Sequence, residues 1–150
     1  MPLSFRDATG ADIASVLELC RAGALNPDRY PPLDLADPAY AALFDAISAD
    51  PNHRLIVCEK DGEIVGTLMI SFLPDLVGRS WRGQLENVHV HSGRRGSGIG
   101  SEMVAWAVAR CRERGCDLVQ LTSNKARHDA HRFYERLGFE KSHEGMKLKL

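Results

Sequence analysis

A stretch rich in arginine and glycine, residues 94–100, joins a run typical of a β-strand to a run typical of an α-helix. Its sequence is Arg-Arg-Gly-Ser-Gly-Ile-Gly, and it lies between residues 85–90 and residues 101–114. A helix start offers unpaired backbone N–H groups and the positive end of the helix dipole, so it attracts anions. Glycine lets the backbone approach a phosphate with no Cβ in between. The stretch therefore predicts a strand–turn–helix connection that binds a diphosphate.

Two common phosphate-binding motifs do not fit this stretch. The dinucleotide pattern G-x-G-x-x-G, started at Gly96, ends on Ser101, and the triphosphate pattern G-x-x-x-x-G-K-[ST] finds no lysine after a suitable glycine. The pattern that does match is R-x-x-G-x-G, at Arg95, Gly98 and Gly100. The sequence therefore predicts a ligand with a pyrophosphate group, bound by a stretch of the R-x-x-G-x-G pattern.

A second pattern, Ala-His-Arg-Phe-Tyr-Glu-Arg-Leu-Gly-Phe, occupies residues 130–139, and one predicted helix and one predicted strand separate it from the first. The two patterns together resemble the acyl-coenzyme A motif and the A-x-x-F-Y-x-x-x-G-F motif of the GNAT family of N-acetyltransferases, over residues 83–150. Residues 83–88 are also similar to a strand of glucosamine 6-phosphate N-acetyltransferases. The resemblance implies the acyl-CoA N-acyltransferase fold and acetyl-CoA as cofactor.

Bulk properties predict one globular domain over residues 1–150. Hydrophobic residues make up 44% and charged residues 26% of the chain, and the formal net charge of −1 suggests no nucleic-acid partner. No apolar run approaches the length of a membrane span, and the first residues lack a signal-peptide core. The cysteines Cys20, Cys58, Cys111 and Cys116 form no C-x-x-C pair, which predicts free, mostly buried thiols, no metal site and a cytoplasmic location.

Periodicity and turn signals predict the order β-α-α-β-β-β-α-β-α-β-β and an α/β fold, a single mixed, mostly antiparallel sheet flanked by helices. Asp37-Pro38 is typical of a helix start, and Asp61-Gly62 of a type I′ hairpin turn. Residues 26–37 and 74–82 are expected to be loops. The predicted strands are residues 2–6, 54–60, 63–72, 85–91, 117–122, 139–143 and 146–150.

The resemblance assigns coenzyme binding to the strand before the glycine-rich stretch and to the stretch itself. Main-chain groups of Val88 and Val90 would bond the pantetheine as an added strand does. Many relatives have asparagine seven residues before the motif tyrosine, where this chain has Arg127, and Asn124 lies ten residues before it. Either Asn124 fills that role or Arg127 contacts a coenzyme A phosphate. The expected coenzyme-binding residues are Val88, His89, Val90, Arg94, Arg95, Gly96, Ser97, Gly98, Ile99, Gly100, Ser101, Asn124 and Arg127.

Catalysis is expected at Tyr134, because the matching tyrosine of the family is the general acid toward the departing thiolate. A phenol has a pKa of about 10, so it holds its proton at neutral pH. The same tyrosine lies on an apolar helical stripe, which is also typical of a core residue. Glu86 is the preferred proton acceptor, since several family members place a glutamate near the incoming amine, and His89 is the second candidate.

The resemblance carried by these residues implies an N-acetyltransferase that transfers the acetyl group of acetyl-CoA to the primary amine of a small molecule by direct attack in a ternary complex. The alternatives are a protein, peptide or aminoacyl-tRNA N-acetyltransferase and a non-catalytic acyl-CoA-binding domain. Tyr30 and Trp81 are candidates for the substrate wall, because they lie on the two expected loops. Small members of the family often form homodimers, but the sequence shows no interface.

Overall fold

The computed structural model describes residues 2–150, and its elements follow the predicted order through the last helix. The strands are β1 Ser4–Asp7, β2 His53–Lys60, β3 Glu63–Asp75, β4 Ser80–Val90 and β5 Cys116–Gln120. The helices are α1 Ile13–Ala22, α2 Pro38–Ala49, α3 Ile99–Arg114 and α4 His128–Arg136. Single 3₁₀ turns occur at Gly10–Asp12, Pro27–Arg29 and Ser92–Arg94.

The five strands form one sheet in the order β1-β2-β3-β4-β5. The first three pairs are antiparallel, and β4 pairs with β5 in parallel, as a connection through α3 requires. The predicted mixed, mostly antiparallel sheet flanked by helices is therefore confirmed.

Two predicted local signals form as expected. Asp37 caps α2, since its carboxylate accepts a hydrogen bond from the Ala39 N–H at 2.9 Å, and Pro38 occupies the first turn. At the β2–β3 hairpin, Asp61 and Gly62 have φ values of 54° and 80°, the positive pair that a type I′ turn needs. These turns depend on few neighbours, so the sequence alone predicts them.

The core lies between the sheet and α3. Met103, Val104, Ala107 and Cys111 of α3 are buried against the strand residues Leu68, Ile70 and Leu85. Burying each large aliphatic side chain contributes about 1.5–3 kcal/mol. This packing fixes the start of α3 relative to β4, which is where the glycine-rich stretch lies.

The expected loop over residues 74–82 is mostly strand. β3 continues to Asp75 and β4 begins at Ser80, so only residues 76–79 turn. The Asp75 carboxylate closes this turn by accepting hydrogen bonds from the Gly78 N–H and the Arg82 guanidinium. Pairing along two long strands overrides the local loop signals of this segment.

The last predicted hairpin does not form. Residues 139–143 and 146–150 belong to no strand, and every residue from 140 to 150 is exposed. Their alternating sequence is a strand pattern, but a strand needs an edge to pair with, and within residues 2–150 none is paired with this segment.

The four cysteines are free thiols. Burial raises the pKa of Cys58 to about 11 and that of Cys111 to about 12, while Cys20 and Cys116 are only partly buried. None of the helices within residues 2–150 has the length and apolar character to cross a bilayer. The same residues contain no group of three or more His, Cys, Asp or Glu side chains arranged for a metal ion.

Candidate active site

The strands β4 and β5 pair over only part of their length. Their register runs from Trp81 opposite Cys116 to Gln84 opposite Gln120, whereas β4 continues beside β3 to Val90. A bulge accompanies this change: the β3 register shifts between Thr67 and Met69, and Asn87 has a φ of 51°. Within the described residues, the edge of β4 over residues 85–90 therefore has no strand partner on the β5 side. A free strand edge can hydrogen-bond an extended ligand.

The glycine-rich stretch forms an uncrowded turn at the end of this open edge. Gly96 and Gly98 have φ values of 78° and 83°, and a Cβ added to either would meet no atom within 4 Å. The first helical hydrogen bond runs from the Glu102 N–H to the Gly98 carbonyl at 3.1 Å, so the N–H groups of residues 99–101 have no partner within the helix. Open space above such N–H groups fits an anionic diphosphate.

The two arginines of the stretch lie at its rim. Arg94 forms an ion pair with Glu63 at 3.4 Å, and the Arg95 Nε donates a long 3.4 Å hydrogen bond to the Val90 carbonyl. The Ser97 hydroxyl donates to the Arg94 carbonyl, which closes the turn. Both guanidinium groups therefore lie close to the turn, and the charge of Arg94 is partly neutralised by the Glu63 carboxylate.

His89, Arg127 and Gly23 meet beside the open edge of β4. The Arg127 Nη2 donates a 2.7 Å hydrogen bond to the Gly23 carbonyl and so ties the start of α4 to the end of α1. The His89 ring packs against Gly23. Burial lowers the pKa of His89 below its ordinary value of 6.5, and the positive charges of Arg127 and Arg95 lower it further. His89 is therefore a neutral imidazole at pH 7.

Tyr134 lies near the same arginine. Its ring makes edge-to-face contacts with Phe133, at 5.0 Å between centroids, and with Phe139, at 5.6 Å. Burial raises the pKa of the phenol above 10.0, and the charge of Arg127 opposes this shift in part. Among residues 2–150, no group hydrogen-bonds the phenol oxygen. The Tyr134 ring is thus held by contacts with Phe133 and Phe139, while its hydroxyl group has no hydrogen-bond partner among the described residues and can donate to a ligand.

The other predicted site residues are less closely associated with this cluster. The Asn124 side chain accepts a hydrogen bond from the Ala126 N–H at 2.9 Å, so it shapes the turn before α4. Glu86 is exposed on β4, opposite Met69. Tyr30 is exposed in the loop before α2. Trp81 lies at the paired end of β4, where the Arg114 guanidinium covers its ring at 4.8 Å.

Gly23 lies against His89 and Arg127, two of the candidate site residues. The sequence did not single it out for the site, because glycine after a helix is usually only a stop signal. A Cβ at this position would lie 2.2 Å from the His89 Nδ1, a distance that forces the ring to move. We expect Gly23→Ala to lower kcat/KM about 10-fold or more, because a shift of about 1 Å in a positioned side chain can cost that much. A steady-state assay checks this.

Gly10→Ala is the matched control, since a Cβ at Gly10 meets nothing within 4 Å. Equal activity of the two variants would contradict a role for His89 in its present position.

A strand edge without a partner beside a glycine-rich helix start is the arrangement expected of an acyltransferase that binds a thioester carrier. The chain belongs to the acetyltransferase (GNAT) family, whose sequence model matches residues 22–139. The resemblance inferred from the two motifs is thereby confirmed.

The chain is similar in sequence to a named N-acetyltransferase and similar in fold to several solved structures. It is 36% identical to the aminoalkylphosphonate N-acetyltransferase of Salmonella typhimurium over 107 residues, which cover 69% of this chain and 70% of that protein. Its fold matches a solved transcriptional regulator from Bacillus halodurans C-125 with a TM-score of 0.93 and 42% identity, over 99% of this chain and 100% of the other. A glucosamine-6-phosphate N-acetyltransferase from Arabidopsis thaliana shares the fold, with a TM-score of 0.79 at 22% identity over 99% of each chain.

Proposed function

We propose that this protein transfers the acetyl group of acetyl-CoA to the primary amine of a small molecule in a ternary complex. The observation that carries the proposal is the open edge of β4, which ends at the glycine-rich turn of residues 96–98. Arg127 lies near both His89 of this strand and Tyr134. The relationship to an aminoalkylphosphonate N-acetyltransferase supports a small amine as the acceptor.

The residues present fit coenzyme A. The N–H groups of residues 99–101 and the rim guanidinium groups of Arg94 and Arg95 would hold its diphosphate. Main-chain groups of Val88 and Val90, on the edge of β4 that has no strand partner on the β5 side, would bond the pantetheine, whose amides can pair with a strand edge. The Val90 carbonyl would then exchange its long hydrogen bond with the Arg95 Nε for one with the ligand. When bound, acetyl-CoA supplies the acetyl group as a thioester. These contacts would hold the reacting carbon at the opening beside Tyr134.

Two proton transfers fall to side chains of the opening. The attacking amine has to lose a proton, and the departing thiolate has to gain one. Tyr134 is suited to donate, because its phenol stays protonated and unbonded at neutral pH. Each positioned acid or base contributes about 10²–10⁴-fold to the rate.

His89 is the proton acceptor that the geometry favours over Glu86. Its imidazole is packed in place by Gly23, and its lowered pKa keeps it neutral at pH 7. Glu86 is exposed and forms no salt bridge within residues 2–150, so nothing holds its carboxylate toward the opening. Arg127 is assigned a positioning role toward His89. Its guanidinium donates a hydrogen bond to the carbonyl of Gly23, and the His89 ring lies against Gly23.

The test uses the whole 150-residue chain in two steps. Calorimetry with coenzyme A measures binding, and a thiol-release assay with acetyl-CoA screens a panel of amines. The panel contains aminoalkylphosphonates, glucosamine 6-phosphate and a peptide with a free N-terminus. We expect coenzyme A binding and turnover of at least one small amine.

Each other outcome has a distinct meaning. No binding of coenzyme A contradicts the proposal as a whole. Turnover of the peptide alone would identify a protein acceptor, and binding with no turnover of any amine would favour an acyl-CoA-binding domain without catalysis.

A further inference from the structure

The two glutamines of the chain meet where β4 and β5 separate. Gln84 and Gln120 stand opposite each other in the last pair of the β4–β5 register. The Gln120 Nε2 donates a hydrogen bond to the Gln84 Oε1 at 2.8 Å. Ser71 of β3, on the other side of Gln84, is already joined to the His53 Nδ1 by a 2.9 Å hydrogen bond through its hydroxyl. The glutamine side chains are therefore bonded to each other and not to this serine.

This amide pair, Gln84 with Gln120, lies on the face of the sheet that points away from α3. The preceding Gly83 faces the helix, because a Cβ at this position would lie 2.3 Å from the Cys111 Sγ, and successive strand residues alternate between faces. Leu118 lies two residues before Gln120 and so on the same face, and it is 42% exposed. A ligand can therefore approach the amide pair on this face.

The amide pair keeps a donor and an acceptor unused. Within residues 2–150 the Gln84 NH2 group and the Gln120 carbonyl oxygen form no hydrogen bond, and neither is buried. Turning both amides over leaves the same complement of one NH2 group and one carbonyl oxygen. A hydroxyl group both accepts and donates a hydrogen bond, so one hydroxyl can satisfy both groups at once.

The charges on this face disfavour an anion at the same place. Glu86, two residues along β4, is exposed and forms no salt bridge within the described residues. The charge of Arg82, two residues the other way, is paired with Asp75 at 2.8 Å. An anionic oxygen only accepts hydrogen bonds, so it would leave the Gln120 carbonyl unsatisfied and be repelled by the Glu86 carboxylate. A neutral hydroxyl has neither cost.

We propose that the amide pair binds a hydroxyl group of the acceptor, so that the substrate class is amines that carry a hydroxyl. This inference rests on the proposed function and adds the chemistry of the part of the acceptor that does not react. A pantetheine that follows the open edge from the turn of residues 96–98 passes Val90 and then Val88, toward the amide pair. The acceptor would place its hydroxyl on the amide pair and its amine toward the thioester.

The experiment compares amines of matched size in the thiol-release assay with acetyl-CoA. Ethanolamine, propanolamine, butanolamine and pentanolamine, each with its hydroxyl and amine at opposite ends, are paired with propylamine, butylamine, pentylamine and hexylamine, in which a methyl group replaces the hydroxyl. The readout is the ratio of the two kcat/KM values of a pair, compared between wild type and variant, because differences in amine basicity then cancel. For at least one pair we expect Gln84→Leu and Gln120→Leu each to lower this ratio about 10-fold, the effect of one lost hydrogen bond.

Ser80→Ala is the matched control, because it removes a hydroxyl on the same strand that donates to the Gly115 carbonyl at 3.1 Å, away from the amide pair. It should leave the ratio unchanged, and circular dichroism confirms that each variant is folded. An equal loss on both amines of every pair would mean that the glutamines only hold β4 against β5, which overturns the proposal.

The remaining outcomes separate this inference from the proposed function. Turnover with a ratio that neither glutamine variant changes overturns the inference and leaves the proposed function standing. A larger loss in these variants on amino acids, in which a carboxylate replaces the CH2OH group, would show that the pair binds an anion and overturns the inference as well. Turnover of no amine by the wild-type chain contradicts the proposed function, and this inference with it.

Discussion

Replacing Tyr134 with phenylalanine is expected to lower kcat about 10²-fold or more while leaving coenzyme A affinity unchanged, because the variant lacks only the hydroxyl that is the proposed proton donor. The ring of the phenylalanine keeps the edge-to-face contacts with Phe133 and Phe139. Since no described residue hydrogen-bonds the phenol oxygen, its removal leaves no buried partner unsatisfied. Stopped-flow or steady-state kinetics gives kcat, and calorimetry gives the affinity.

Tyr40→Phe, on α2, is the control for a hydroxyl lost outside the opening. The prediction separates an enzyme from a sensor. Unchanged turnover in Tyr134→Phe would mean that this tyrosine is only a core residue, as its helical stripe alone suggests. Loss of coenzyme A binding would mean that the substitution disturbs the site rather than the chemistry.

Replacing His89 with glutamine is expected to lower kcat/KM about 10²-fold at neutral pH, because the neutral imidazole is the proposed proton acceptor. The sign of the pH dependence follows from the same assignment. The base works when deprotonated, so wild-type kcat/KM should be flat at pH 7 and fall as the pH drops through the pKa of His89, below 6.5. A pH–rate profile of kcat/KM measures this limb, and the limb should be absent in His89→Gln.

Two further variants test whether His89 or Glu86 is the proton acceptor. Arg127→Met removes a positive charge beside His89, so the acid limb should move to higher pH. Glu86→Gln should retain both activity and the limb. If Glu86→Gln loses activity while His89→Gln does not, Glu86 is the base and the preference based on sequence is correct.

The glycine-rich stretch illustrates which structural features can be predicted from neighbouring residues alone. A strand, a turn with Gly96 and Gly98 at positive φ, and a helix start need only neighbouring residues, so the sequence predicts them. The same holds for the Asp61-Gly62 turn and for the cap at Asp37. The family resemblance adds Tyr134 through its motif. Each of these depends on conformational preferences that a short segment expresses by itself.

The sequence alone thus determined the order of elements through α4 and the glycine-rich turn before α3, and it named the candidate acid. Tertiary structure decided where β4 separates from β5, how Gly23 packs on His89, and that Arg127 bonds a carbonyl 104 positions away along the chain. It also left residues 140–150 unpaired, against their own strand pattern. The reason is physical: a turn or cap is satisfied by adjacent residues, whereas a strand edge or a side-chain contact exists only when a distant segment arrives beside it.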